Sequence, residues 1–268
     1  MDTTTIGPTE PTTDLTAAAD ALRMLHQRGK PLVLVNAWDV ASAQRVVETG
    51  GRAVATSSAA IAASLGVPDG PTAPVETMFG AVRRIAASVD VPVSADLLDG
   101  YGLGADELVE RLLDAGAVGC NLEDSDHARP GALLDPAAAA ERIADVRAAA
   151  GRAGVDVVIN ARIDSYLHHG PGATPDVTTR ARRYLDAGAD CVYPIRLTDA
   201  AVARDLVEQL DDHDAHVNAN VAGQVTVADL AGAGVSRVSI GPVAFRSALA
   251  ALDRIAADLL GTYGRSGA

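Results

Sequence analysis

The 268-residue chain is 48% hydrophobic but only 3% aromatic, with a formal net charge of -13. Such a composition supplies an Ala, Val, Leu and Ile core large enough for one domain, since single α/β barrels run to about 250 residues. It argues against nucleic acid, whose phosphates require a basic face. A small anionic ligand stays open, because a metal and one or two arginines can invert the field inside one cleft.

Residues 1–13 are rich in Thr and Pro and read as a flexible tail, leaving 14–268 as a single domain. The N-terminus lacks a basic start and an apolar stretch, so no secretory signal is expected. No apolar run approaches the roughly 18 residues of a membrane span. Cys120 and Cys191 fall inside predicted strands with no metal-ligand spacing and read as small buried hydrophobes. A cytoplasmic protein is expected.

In chain order, Asp14 or Thr16 caps a first helix running to about Gln27. Strand Pro31–Val35 exits through Asn36, Ala37, Trp38 and Asp39 into a helix at Val40–Glu48. Strand Ala53–Thr56 is followed by Ser57–Gly70, SSAAIAASLGVPDG, a long small-residue segment, and then a helix at Pro74–Ser88. The alternation repeats. Strands at Pro92–Ala95, Val118–Leu122, Val157–Ala161, Cys191–Pro194, His216–Val221 and Val235–Ile240 are each followed by a helical stretch, the last at Val243–Leu260. Helix ends reading ETGG, DAGA, DAGA and AGAG form a weak internal repeat suited to short αβ turns. Eight strands alternating with helices predict a closed parallel (β/α)8 TIM-type barrel, and no Gly-rich nucleotide fingerprint follows the first strand.

In such a barrel the C-terminal ends of strands carry the chemistry. Those ends read Trp38 and Asp39, Ser57 and Ser58, Asp96 and Asp99, Glu123 and Asp124, Arg162 and Asp164, Arg196, Asn218 and Asn220, and Gly241. Carboxylates crowded this way repel one another and raise one another's pKa values. A hard divalent cation resolves the conflict, and Mg2+ binds typically through one or two carboxylates with several waters retained.

The segments LVLVNAWDVASAQ, SSAAIAASLGVPDG, SADLLDGYG, GAVGCNLEDS, VVINARIDSYL and GADCVYPIRL together resemble the isocitrate lyase and phosphoenolpyruvate mutase superfamily, from Leu32 to about Asn220. The resemblance implies an α/β barrel whose last helix is exchanged with a neighbour, in homodimers or homotetramers. It further implies Mg2+, with Mn2+ as the alternative ion, holding a pyruvate-like enolate made from a small carboxylate substrate. By position, Asp96 and Glu123 match residues that hold Mg2+ largely through water, and Asp69 matches an aspartate near the ion. Ser57, Ser58 and Ala59 match a loop that grips the substrate carboxylate, Trp38 a pocket residue, and Arg162 the arginine that pairs with the substrate anion.

The departures also count. Where many members carry a second acidic residue, this chain has Leu98 with Asp99 beside it as the substitute metal ligand. Ser58 stands where Gly is usual. The lyase lid, Lys-Cys-Gly-His, and the mutase lid are both missing from the segment after Glu123, and Lys30 is the chain's single lysine. His127 and Arg129 are the candidates for a replacement acid and anion clamp. Blander readings stand beside these. Arg162 and Asp164 also suit a structural ion pair, and Asn218, a candidate substrate ligand, also suits a hydrogen bond to Asn220 inside the barrel.

Three functions compete on this reading. One is an Mg2+-dependent enzyme that makes or breaks a bond to C3 of a pyruvate enolate, as a carbon-carbon lyase or decarboxylase on a small 2-oxo or 2-hydroxy dicarboxylate. In it Asp96, Glu123, Asp69 and Asp99 surround the ion, while Arg162, Glu123, His127 and Asp69 serve the chemistry. The second is mutase-like phosphonate chemistry at the same enolate. The third is a barrel that binds a carboxylate without turnover.

Overall fold

The computed structural model describes residues 14–266, with side chains through residue 261. The expected tail at 1–13 lies outside the described residues. Nine strand segments are joined by parallel pairings in the order β1-β9-β8-β7-β6-β5-β4-β3-β2. They are β1 (Leu32–Leu34), β2 (Asn36–Ala37), β3 (Val54–Thr56), β4 (Val93–Asp96), β5 (Gly119–Glu123), β6 (Val158–Ile163), β7 (Cys191–Pro194), β8 (His216–Asn220) and β9 (Arg237–Ser239). β1 and β2 are two halves of one stave, broken at Val35. The first half pairs with β9 and the second with β3, so eight staves form the expected barrel.

Helices surround the ring: α1 (Leu15–Met24), α2 (Val40–Glu48), α3 (Ser58–Leu65), α4 (Val75–Ala86), α5 (Ala105–Asp114), α6 (Pro136–Ala153), α7 (Ser165–His169), α8 (Thr174–Asp186), α9 (Ala200–Gln209), α10 (Val227–Gly232) and α11 (Val243–Ser266). The first is capped by Asp14, whose carboxylate accepts from the backbone of Thr16 and Ala17. The αβ turns behave as the repeat suggested, with φ of 98°, 76°, 98° and 84° at Gly50, Gly116, Gly188 and Gly234, values a side chain would strain. The Ser57–Gly70 segment differs from expectation by containing α3. Its run of alanines favours helix strongly, with Ser57 as its N-cap and Gly66 in the left-handed region ending it.

Most strand residues facing the helices are apolar and buried, among them Ala95, Cys120, Leu122, Ile159, Ala161 and Val238. Burial pushes the thiols of Cys120 and Cys191 up to about 12, which leaves them inert. The barrel interior is instead polar below its mouth: Ser94, Asn121, Asn160, Asn218 and Arg237 are all buried, and Asn160 Nδ2 donates to Asn121 Oδ1 at 2.8 Å.

His26, just beyond α1, closes against the base of this interior. Its Nδ1 lies 2.9 Å from the Leu22 carbonyl, which can only accept, so Nδ1 carries the proton. Nε2 is buried without a partner. Burial first and the Arg237 charge second bring the pKa from 6.5 down to about 3. Because the folded value lies below the unfolded one, the contribution to stability is present above pH 6.5 and lost as pH falls toward 3, at a full cost of roughly 5 kcal/mol. Urea melts between pH 7 and pH 4 are expected to show this loss in the native sequence and a shallower one in His26→Gln. Equal slopes in the two proteins would remove His26 from the acid response.

α11 leaves the barrel after Phe245, whose ring meets Trp38 edge-on with centroids 5.3 Å apart. Beyond it Leu249, Leu252, Ile255 and Leu260 are 45%, 59%, 59% and 72% exposed and fall on one helical stripe. On the outside of the first stave Val33 and Val35 are 41% and 37% exposed. The helix that follows the last strand therefore leaves bare the wall that a closing helix ordinarily covers.

Candidate active site

β4 ends in Asp96, inward-facing by alternation from Ser94. Its Oδ2 accepts from the backbone N (3.0 Å) and Oγ (2.9 Å) of Ser58 at the start of α3, and its backbone N donates to Thr56 Oγ1. Its Oδ1 is buried and accepts from nothing. The chain then turns through Leu98, Gly100, Tyr101 and Gly102, all at positive φ, with Asp99 Oδ1 accepting from Tyr101 N. This places the Tyr101 hydroxyl, buried and unpartnered, among carboxylates. Burial, then Asp96, Asp69, Glu123 and Asp99 in that order, push its pKa up, so the phenol keeps its proton. Asp69 is exposed on its loop, yet partial enclosure of its carboxyl and the charge of Asp96 push its pKa up too.

Glu123 ends β5 opposite Arg162 on β6. Arg162 Nη1 lies 2.5 Å from Glu123 Oε2, and its Nε lies 2.7 Å from Asp164 Oδ1. Burial works against the guanidinium charge, but Glu123 and Asp164 more than offset it and raise the pKa. Arg162 is thus paired with Asp164, as the ion-pair reading has it, and also with Glu123 on the neighbouring strand. Asp164 is in turn fixed by Ser125 Oγ at 2.5 Å, which also contacts His168 Nε2 at 2.9 Å, and its backbone N donates to Asp124 Oδ1. Asp124 is itself buried, receiving Tyr184 OH (2.6 Å) and Arg180 Nη1 (3.1 Å).

The segment after Glu123 folds on itself. Ser125 bridges Leu133 in antiparallel fashion, Asp126 N donates to the Ala132 carbonyl, and Leu134 N to that of Asp124. This short hairpin sets His127 Nε2 2.9 Å from Glu123 Oε1. Contact with that carboxylate raises the His127 pKa, and burial raises that of Glu123. Arg129, by contrast, is turned outward onto Asp126 at 2.7 Å, with 71% of its side chain exposed.

The remaining candidates divide. Ser57 serves as the α3 cap, Ala59 lies in the first turn of that helix, and Trp38 packs on Phe245. Asp39 caps α2. Asn218 is fully enclosed and exchanges 3.3 Å contacts with Ser239, not with Asn220. It is Asn220 that lies nearer the mouth, donating 3.0 Å bonds to Tyr193 OH and the Ser239 carbonyl. Asn36, read only as part of an exit turn, is buried and bonds to the Thr56 carbonyl (2.7 Å) and to the backbone N of Ile240 and Gly241. The period of two gave the shared direction of Asn218 and Asn220 but not their depth.

Among the described residues no three His, Cys, Asp or Glu side chains form a ready-made metal cage. Mg2+ seldom uses one, preferring one or two carboxylates and its own waters. Asp96 fits that mode, since Ser58 immobilises one oxygen and the other is buried without a donor, a state that is costly unless something cationic or protic meets it.

The sequence profile of the family described as phosphoenolpyruvate phosphomutase matches residues 22–260. An uncharacterized protein of Mycobacterium tuberculosis H37Rv is 34% identical over 225 residues, 84% of this chain and 83% of that one. A crystal structure from Burkholderia cenocepacia, provisionally described as a phosphonomutase, is 39% identical, covers 89% of this chain and 98% of its own, and superposes with a TM-score of 0.83. The structure of 2,3-dimethylmalate lyase, described as a PEP mutase/isocitrate lyase superfamily member, is 27% identical over 94% of this chain and 90% of its own, with a TM-score of 0.81.

Proposed function

The chain belongs to the phosphoenolpyruvate phosphomutase family, within the isocitrate lyase and PEP mutase superfamily, and from that premise we propose an Mg2+-dependent lyase that stabilises a pyruvate-like enolate. Its bond-breaking step is at C3 of a small 2-oxo or 2-hydroxy dicarboxylate. The observation that carries this is Asp96, anchored through one oxygen by Ser58 with the other buried and unpartnered, on the same rim as Glu123 and Arg162.

Asp96 and Glu123 would hold the ion, with Asp69 and Asp99 acting through its waters. Bound there, Mg2+ supplies Lewis-acid stabilisation of a developing enolate oxygen. The chain's own groups do the rest. Ser57, through its hydroxyl, and Ala59, through its backbone N–H, would orient the substrate carboxylate at the N-terminus of α3, while Ser58, both of whose donors serve Asp96, keeps that side chain in place. Arg162, locked by Asp164, presents a fixed cation. His127, its pKa raised by the contact with Glu123, is the group on the hairpin placed to give a proton. Tyr101, its phenol held neutral, is placed to donate a hydrogen bond without ionising.

The lyase assignment draws on the likeness to 2,3-dimethylmalate lyase. The Burkholderia structure favours a second reading, phosphonate chemistry at the same enolate. Calorimetric titration of oxalate, a stable mimic of pyruvate enolate, tests what both share: binding is expected with Mg2+ and not without it. Absence of binding in both conditions would leave a non-catalytic barrel. A panel of oxaloacetate, substituted malates and phosphoenolpyruvate then separates the two readings by whether turnover needs phosphorus.

The exposed stripe of α11 and the uncovered Val33 and Val35 support an assembly in which two copies exchange their last helices. Light scattering is expected to show a dimer or tetramer, and Leu252→Asp to shift the mass toward monomer by placing a charge at an apolar contact. An unchanged mass would remove α11 from the interface.

A further inference from the structure

Arg237 heads the largest fully buried side chains among the described residues, at 1% exposure. It projects from β9 across the barrel to the opposite wall, where Nη2 meets Ser94 Oγ at 3.3 Å and Asn121 Oδ1 at 3.4 Å, both long contacts to neutral groups. Nε and Nη1 are buried without partners. Arg162, half-buried, and Arg180, buried, each touch two carboxylates, whereas none of the ion pairs among the described residues includes Arg237. A buried charge in this state costs stability, and an apolar side chain of equal length would serve the fold better. Sites that break local rules in this way are where function is to be sought.

Its position says which function. Ser94 lies one pleat beneath Asp96 on β4, and Asn121 one pleat beneath Glu123 on β5. The guanidinium therefore lies under the two carboxylates of the mouth, and the charge of Asp96 acts on it. Arg162, the cation at the rim, is already matched by Glu123 and Asp164, and Asp69, Asp96 and Asp99 add further negative charge nearby. Beneath the matched Arg162, an anion entering this mouth meets in Arg237 a buried cation that no carboxylate pairs with.

We propose that Arg237 is a positioning residue that holds Asp96 and a carboxylate ligand at the mouth by acting as a floor cation from inside the barrel. The inference rests on the enolate reading above and adds to it a charge that acts without touching the substrate. In the low-dielectric interior a unit charge within a few ångströms of an anion changes binding roughly tenfold or more.

The test compares wild type, Arg237→Met and Arg237→Lys by thermal melting without ligand and by oxalate titration with Mg2+. Arg237→Met is expected to melt at or above the wild-type temperature while binding oxalate about tenfold or more weakly, and Arg237→Lys, which keeps the charge, to recover most of the affinity. A methionine variant that binds oxalate as tightly as wild type overturns the proposal, as does one that no longer folds or a lysine variant as weak as the methionine one. Wild type that fails to bind oxalate removes the enolate reading and this proposal together; wild type that binds, beside an unaffected Arg237→Met, removes only this one.

Discussion

Asp96→Ala is expected to abolish Mg2+-dependent oxalate binding, a loss of at least about a hundredfold in affinity, while the barrel still folds. The argument is local. Asp96 contributes one oxygen to α3, through Ser58 N and Oγ, and one buried oxygen to nothing in the chain. Alanine strips Ser58 of its acceptor, at a cost of about 1–3 kcal/mol. The bond from the Asp96 backbone N to Thr56 Oγ1 is kept, so β3 and β4 stay joined. Metal-dependent calorimetry reads the first effect and a melt the second. Unchanged oxalate affinity in the alanine protein would separate Asp96 from the ligand altogether, and an unfolded protein would make it a structural residue.

Arg162→Met is expected to damage both binding and fold. Arg162 neutralises Glu123 and Asp164 at once, and the side chains of those carboxylates are 4% and 0% exposed. Removing the cation leaves two enclosed anions facing each other, which costs about 3–5 kcal/mol and lowers the melting temperature by roughly 10 °C in a chain of this size. Adding Glu123→Gln removes one of those anions and is expected to restore part of the loss, giving a coupling that neither single variant predicts. A melting temperature for Arg162→Met within about 2 °C of wild type would mean that water reaches this network. Arg237 contrasts with it: Arg237 is fully buried and pairs with no carboxylate, whereas the half-buried Arg162 holds two carboxylates together.

Much of this was legible in the sequence. Strands of a parallel barrel are covered on their outer face by helices and packed within, so stretches such as VVINA stand out as continuous apolar runs, and the charges at their ends mark the mouth. Asp96, Glu123 and Arg162 were visible for that reason. α3 was not, because SAAIAASL is small and apolar on every side and shows no helical face. β2 was missed because Asn36 looks like a turn residue, whereas its amide is bonded into the sheet on both sides. Arg237 left no signal either. A single arginine within VSRVSIG reads as a strand residue turned to solvent, and only the register β8-β9-β1 shows it turned inward. The segment after Glu123 was readable as one that lacks both known lid sequences, but that it forms a hairpin aiming His127 inward and Arg129 outward follows from its own backbone pairing.

The break at Val35 has a consequence for the order in which the protein folds. The seam of the ring is fastened by Asn36, whose side-chain Oδ1 accepts from the backbone N of Ile240 and Gly241, 204 and 205 residues away along the chain. Contacts of such separation form late, because loop closure must precede any gain from them. During synthesis β2 to β8 can associate neighbour by neighbour, but the first and last staves cannot meet until residue 241 has emerged. Until then the chain is an open sheet with two bare edges, and the pocket beneath which Arg237 sits does not yet exist.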